Sequence, residues 1–376
     1  MAIALAAASG LVVTVRPGHA AEVGAGRAAS EGDVSRLGDA EAQHPLMAAI
    51  DAAAEAMPNP ERARRSLLWR LAVGPHCYAD NLTPEQLQEV VRRTWLWPAA
   101  MVPPEGFEAG GPVINRFYSD SQVWTGDLST GPSGLALRAN LTYSFPADGT
   151  TWGLSTVLPT QPNLLNGKLT TAFGSLDRGR EYIRAGLAAW RRSAGLTYTE
   201  VADDGTAMSP LSTRSALRGD IRIGGYDFAA TPNGTLAYNA FPTNIGVSSA
   251  GGGDMVLNTS YFLQSNFTNA TADFVYFRNT VAHEHGHGLG FIHSVPCNGT
   301  KIMEPTISLT PRPLMLDEIR AAGRNYGDRY SGNHALANAF DLGNLTTPIL
   351  RSVILRELST NVSNLNLTDE DFGVLQ

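Results

Sequence analysis

Cysteine is scarce. The 376 residues carry only two, Cys77 and Cys297, which excludes a small disulfide-built scaffold. Charge is scarce too: Asp, Glu, Lys and Arg make up 17% of the chain, and the net charge is −7. That balance lacks the basic footprint of a nucleic-acid binder or of a protein held on an anionic membrane, so neither partner is predicted. Long apolar runs are missing as well. The apolar stretch Ala2–Val15 falls short of the roughly 20 residues that a bilayer-spanning helix needs, and no membrane span is predicted. Apolar residues themselves are ample, at 43% over a length that suits two or three domains.

Against this background one stretch concentrates chemistry. Residues 281–294 read VAHEHGHGLGFIHS. On an α-helix, positions four apart share a face, so His283 and His287 point the same way. Neutral imidazole is a good zinc ligand, and a catalytic zinc takes three protein ligands and a water. Glu284, next to the first histidine, is placed to take a proton from that water and is not itself a ligand. Gly290 permits a left-handed turn at the helix end, which swings the chain back and lets His293 close the site as third ligand. His285 falls off the metal face, and helical geometry predicts a solvated side chain for it.

This pattern resembles the zinc signature of the metzincin metalloproteases, and Ser294 after the third histidine resembles their matrixin branch, here in its bacterial form. Downstream, Lys301-Ile302-Met303-Glu304-Pro305 resembles the metzincin methionine turn. The resemblance implies that Met303 floors the zinc site without binding the metal. It also implies an α+β catalytic domain: a twisted mixed sheet, a zinc-binding helix and a methionine turn, preceded by a helical N-terminal region. Leu236-Ala237-Tyr238-Asn239-Ala240-Phe241-Pro242 resembles the matrixin edge strand, so Leu236, Ala237 and Tyr238 are expected to pair with a peptide substrate through main-chain hydrogen bonds. The family places a histidine, used for a second structural zinc, where Tyr238 stands. Residues 252–258 lack its partner, so a single catalytic zinc is expected. For Asp254 and Asp227 two readings stand: a calcium ion held with loop carbonyls, or turn-forming aspartates.

Residues 1–21 read as a signal peptide, although no Lys or Arg precedes the apolar run. The protein is therefore expected to be secreted or extracellular. Residues 22–113 form a helical N-terminal region after a flexible connector. Met47, Ile50, Ala54 and Met57 recur at helical spacing, as do Leu67, Leu68 and Leu71. Thr83-Pro84-Glu85-Gln86 reads as a capping box with proline at the first helical position. This region is a propeptide or a small accessory domain; composition does not separate the two. Matrixin propeptides silence zinc with a cysteine, but the context Pro75-His76-Cys77-Tyr78 departs from the family's. A disulfide between Cys77 and Cys297 is preferred to that switch, with two free thiols as a further alternative.

Residues 114–330 are assigned to the metallopeptidase domain. Leu135–Phe145, Leu196–Val201 and Asp220–Gly224 read as strands, and Asp177–Ser193 and Leu314–Tyr326 as helices. Residues 331–376 form a β-rich tail that resembles the opening of a bacterial pre-peptidase C-terminal β-sandwich. The expected function is a zinc endopeptidase acting on protein or peptide substrates. The alternative is a non-catalytic zinc-bearing extracellular binding module that presents the strand near Leu236. Oligomeric state is not legible.

Overall fold

The structure is a computed structural model that describes residues 44–74, 76–96, 123–124, 139–152, 161–207, 215–228, 234–242, 252–263, 267–295, 297–310, 314–327, 340–341 and 373–374. The expected signal peptide and connector, and all of the tail but two short strands, lie outside these residues. The fold is mixed α+β, with a seven-stranded mixed sheet and seven helices among the described residues.

In chain order the elements are α1 (Pro45–Glu55), α2 (Pro60–Val73), β1 (His76–Ala79), α3 (Pro84–Leu96), β2 (Ala139–Ser144), β3 (Thr151–Trp152), β4 (Gln161–Pro162), α4 (Leu165–Phe173), α5 (Leu176–Arg191), β5 (Leu196–Glu200), β6 (Ile221–Tyr226), β7 (Thr235–Asn239), β8 (Met255–Asn258), α6 (Val275–Gly288), β9 (Thr306–Ile307), α7 (Leu316–Tyr326), β10 (Phe340–Asp341) and β11 (Gly373–Val374). None of these helices is long and apolar enough to cross a membrane.

Local chemistry sets several boundaries. The first three helices each begin with proline at the first position, where its missing N–H costs nothing. At α3 the expected capping box closes reciprocally. The Thr83 N–H donates to the Gln86 side chain at 3.0 Å, and the Gln86 N–H donates to the Thr83 hydroxyl at 3.2 Å. Ser175 caps α5 by accepting from the Arg178 N–H at 3.2 Å. The buried side of α5 is Ile183, Leu187 and Trp190, as its periodicity predicts. Helix α4 was not expected. Leu165, Leu169 and Phe173, spaced by four, are its buried face and were the available signal.

The large sheet runs β5-β2-β6-β8-β7-β1-β9. Within it β2 is parallel to β5 and β6, β6 is parallel to β8, and β1 is parallel to β9. Strand β7 alone runs the other way, antiparallel to both β8 and β1. Here one expectation is corrected. β7, which carries Leu236, Ala237 and Tyr238, is not an edge strand: β1 lies along it, with His76 opposite Tyr238 and Cys77 opposite Ala237. The N-terminal region thus contributes a strand to the sheet. Its helices share a core of Leu46, Ile50, Leu67, Leu68 and Leu71 with Tyr78 and Cys297.

The main core lies between the sheet and α5 and α6. These two helices approach closely at Gly186, where an added Cβ would lie 2.6 Å from Val281 Cγ1. The Trp190 indole N–H ties them further by donating to the Ala282 carbonyl at 2.8 Å. Gly186→Ala should therefore push α5 off α6. Overpacking of this kind costs roughly 1–3 kcal/mol, and the expected result is a melting temperature lowered by several degrees. Thermal unfolding followed by circular dichroism checks this; an unchanged midpoint would show that the contact relaxes freely.

Candidate metal centre

Helix α6 carries the signature and is buried almost throughout. His283, Glu284, His285 and His287 are all at 0% exposure. Polar groups so buried need partners, and the three ligand candidates find theirs on one side of each ring. His283 Nδ1 lies 2.6 Å from the Ile302 carbonyl, His287 Nδ1 lies 2.7 Å from the Phe291 carbonyl, and His293 Nδ1 lies 2.7 Å from the Leu71 carbonyl. A carbonyl only accepts, so each Nδ1 carries the proton. Each Nε2 is then left with a free lone pair.

Those three lone pairs converge. The Nε2 separations are 3.1 Å for His283–His287, 3.2 Å for His283–His293 and 3.0 Å for His287–His293. With no proton between them the three acceptors repel one another, and a cation placed among them removes that repulsion. The spacing is close to the roughly 3.3 Å edge expected for nitrogens about 2.0–2.1 Å from a tetrahedral centre. Burial holds the imidazoles neutral: it pushes His283 down to about 4 and holds His287 and His293 well below the usual histidine range. The set fits a metal ion that favours nitrogen ligands.

The turn leaving α6 brings His293 round. Gly290 has φ of +92°, the left-handed conformation expected of it. The end of the helix is fixed from outside by two donors. The Trp124 indole N–H donates to the Gly288 carbonyl and the Tyr326 hydroxyl to the Leu289 carbonyl, both at 2.6 Å. Below the helix, Met303 is fully buried against Gly286, where an added Cβ would lie 2.3 Å from its sulfur. Two carboxylates hold the segment around Met303. Glu318 accepts from the Ile302 and Met303 N–H groups at 3.0 and 3.4 Å. Glu304 accepts from the four successive N–H groups of Asn298, Gly299, Thr300 and Lys301. Because Ile302 also receives the His283 proton, Glu318 fixes the orientation of that ligand at one remove. These bonds to Glu318, on α7, form only when that helix packs beneath the loop.

Glu284 stands beside the tripod with neither carboxylate oxygen in hydrogen-bond geometry with a donor. Its near neighbour is Cys77, whose sulfur, a Glu284 oxygen and a His283 nitrogen all lie within 4.8 Å of one another. Burial pushes the Glu284 carboxyl up to about 8, with the Cys77 side chain and N–H acting in the other direction. A dication nearby favours the ionised form instead.

Two expectations are corrected here. His285 is not solvated: it is fully buried, its Nε2 lies 2.6 Å from the hydroxyl of Tyr198 on β5, and burial pushes it down to about 3. Cys77 and Cys297 are both free. Cys77 belongs to the core beneath the sheet and Cys297 to that of the N-terminal helices, so no disulfide joins them. Asp254 is buried within the sheet, where Oδ1 accepts the Arg222 N–H at 2.6 Å. Neither Asp254 nor Asp227 belongs to a group of three or more His, Cys, Asp or Glu side chains placed to hold a metal among the described residues. Tyr238 packs between Phe228 and His76.

No protein-family model matches the chain, and no curated protein matches it.

Two outcomes follow from burial. A carboxyl whose folded pKa is raised binds more protons folded than unfolded between pH 4.5 and about 8. Glu284 therefore costs the metal-free protein stability as pH rises across that window. Glu284→Gln should stabilise the chelator-treated protein at pH 8, by roughly 1–4 kcal/mol, and make no such difference at pH 4.5. Denaturant titrations at both pH values test this. Burial also pushes both thiols well above the usual range, and only the thiolate is nucleophilic. Both cysteines should therefore resist alkylation at pH 8 in the native protein and react fully in denaturant. Mass spectrometry of non-reduced peptides that found a Cys77–Cys297 bridge would contradict the two free thiols.

Proposed function

We propose that the protein is a secreted zinc-dependent endopeptidase of the metzincin type, resembling the matrixins. The observation that carries this reading is the buried tripod of His283, His287 and His293 with a carboxylate, Glu284, at its side. Holding a metal needs only the imidazoles. A fully buried carboxyl whose only donors nearby are those of Cys77 is a standing cost, and a place beside an attacking water would account for keeping it.

Bound zinc would supply Lewis acidity to a water molecule and to the carbonyl of the scissile peptide. Glu284 would accept the water's proton and pass it to the leaving amine, so one carboxylate serves as base and then as acid. The dry surroundings would strengthen its interaction with the proton it carries. Main-chain groups of β7 at Leu236, Ala237 and Tyr238 would hold a peptide as an added strand.

In the conformation described, β1 takes that added position. It is antiparallel to β7 and parallel to β9, with Cys77 facing Glu284. This supports reading it as an internal occupant of the substrate groove, one that must leave before a peptide can enter.

Glu284→Gln keeps the side-chain shape but removes the proton acceptor. It should bind about one zinc per chain and lose roughly a hundred- to ten-thousand-fold in peptidase rate. His287→Ala should lose zinc and activity together. Cleavage of a denatured protein substrate, with metal content measured in parallel, is the test. A fully loaded Glu284→Gln protein with near-normal proteolysis would overturn the catalytic assignment.

A further inference from the structure

The three ligand histidines are not supported alike. His283 and His287 donate to carbonyls at Ile302 and Phe291, within the stretch that follows them on the chain. His293 reaches back across 222 positions to Leu71, at the end of α2. Its own backbone N–H also donates into the same turn, to the Ala72 carbonyl at 2.7 Å. Both donors on this ligand residue are thus satisfied by the last turn of one N-terminal helix.

The chemistry of that turn suits the task. The final carbonyls of a helix lack i+4 partners and carry the negative end of its dipole; the Leu71 carbonyl has only a long bond from the Gly74 N–H, at 3.4 Å, besides the imidazole. They make strong acceptors for an imidazole N–H whose other nitrogen faces a cation. The packing agrees. Cys297, four residues beyond His293, is built into the core formed by Leu46, Leu67 and Leu71. The side chains of Thr306 and His44 meet at 3.0 Å. A detachable cover would lie over a centre complete without it. Here the N-terminal unit supplies an acceptor that the centre lacks when that unit is gone.

We propose that the last turn of α2 is a permanent part of the metal centre, with Leu71 and Ala72 as positioning residues for His293. The N-terminal helical unit then stays docked after the connecting chain is cut, and any opening of the groove involves β1 and not α2. The inference rests on the metal-binding reading of the tripod and is independent of peptidase activity.

The test is made on the full chain carrying a site-specific protease recognition sequence between Pro103 and Gly106, purified with zinc. After cleavage the two fragments should co-elute in gel filtration and keep their zinc. Affinity, measured by competition with a chromophoric chelator, should be unchanged, as should the visible spectrum of the cobalt-substituted form. Separating the fragments in urea and returning the larger one alone to buffer should weaken zinc binding by about 10–100-fold, the usual cost of losing an outer-shell partner. The cobalt spectrum should change as well, and adding back the smaller fragment should restore both. Spontaneous loss of the smaller fragment, with affinity and spectrum intact in the larger, would overturn the proposal.

A pair of variants in the uncut chain keeps the question open to test even if the larger fragment does not refold. Leu71→Ala loosens the end of α2 beneath His293, whereas Leu46→Ala empties a comparable site in the same core. Both should lose stability, but only Leu71→Ala should lose zinc affinity, by about tenfold. Equal affinities in the two variants would overturn the proposal. An intact chain that binds no zinc would overturn the metal reading and this inference together.

Discussion

Three imidazole nitrogens that face one another in a dry interior are the constraint on which this structure depends. Lone pairs 3.0–3.2 Å apart repel, and nothing within the tripod relieves them. The rings stay in place because each is pinned from behind by a carbonyl. Those carbonyls belong to separate parts of the chain: the segment before Met303, the turn after α6, and the end of α2. Much of the surrounding architecture serves to hold these three acceptors still. Glu318 fixes the first, Trp124 and Tyr326 fix the turn that offers the second, and the N-terminal core fixes the third.

The same logic explains why α6 departs from an ordinary amphipathic helix. Buried on all sides, it meets α5 at Gly186 and Met303 at Gly286. Neither contact leaves room for a larger side chain on the glycine, and each sets the height of the helix against its neighbours. The glycines let helix backbones approach, and the approach places His283 and His287 to within the tolerance that a metal requires.

What could be read from the sequence was what local chemistry decides. The capping box at Thr83, the amphipathic face of α5, the left-handed Gly290 and the shared face of His283 and His287 depend on residues a few positions apart, and the structure contains all of them. What could not be read depends on distant partners. Strand β1 is four residues, His76–Ala79, with no alternation to mark it; it is extended because β7 and β9 pair with it. His285 looked solvated because helical geometry gives direction but not surroundings, and Tyr198 encloses it. The support of His293 by α2 left no trace in the sequence at all, since its acceptors are backbone carbonyls that any residue could supply.

Strand β1 also bears on how the chain folds. It is made early, yet its two neighbours in the sheet, β7 and β9, come from the distant second half of the sequence. As the protein is synthesised, His76–Ala79 has no partner until the chain has passed Asn239, and lacks its second until Ile307. Pairings so far apart close slowly, because loop entropy is lost before the contacts repay it. During that interval the strand is open to other chains. Assembly of this sheet is therefore a late event, and the three-histidine cluster, in which His293 donates to α2 while His283 and His287 lie on α6, is completed only with it.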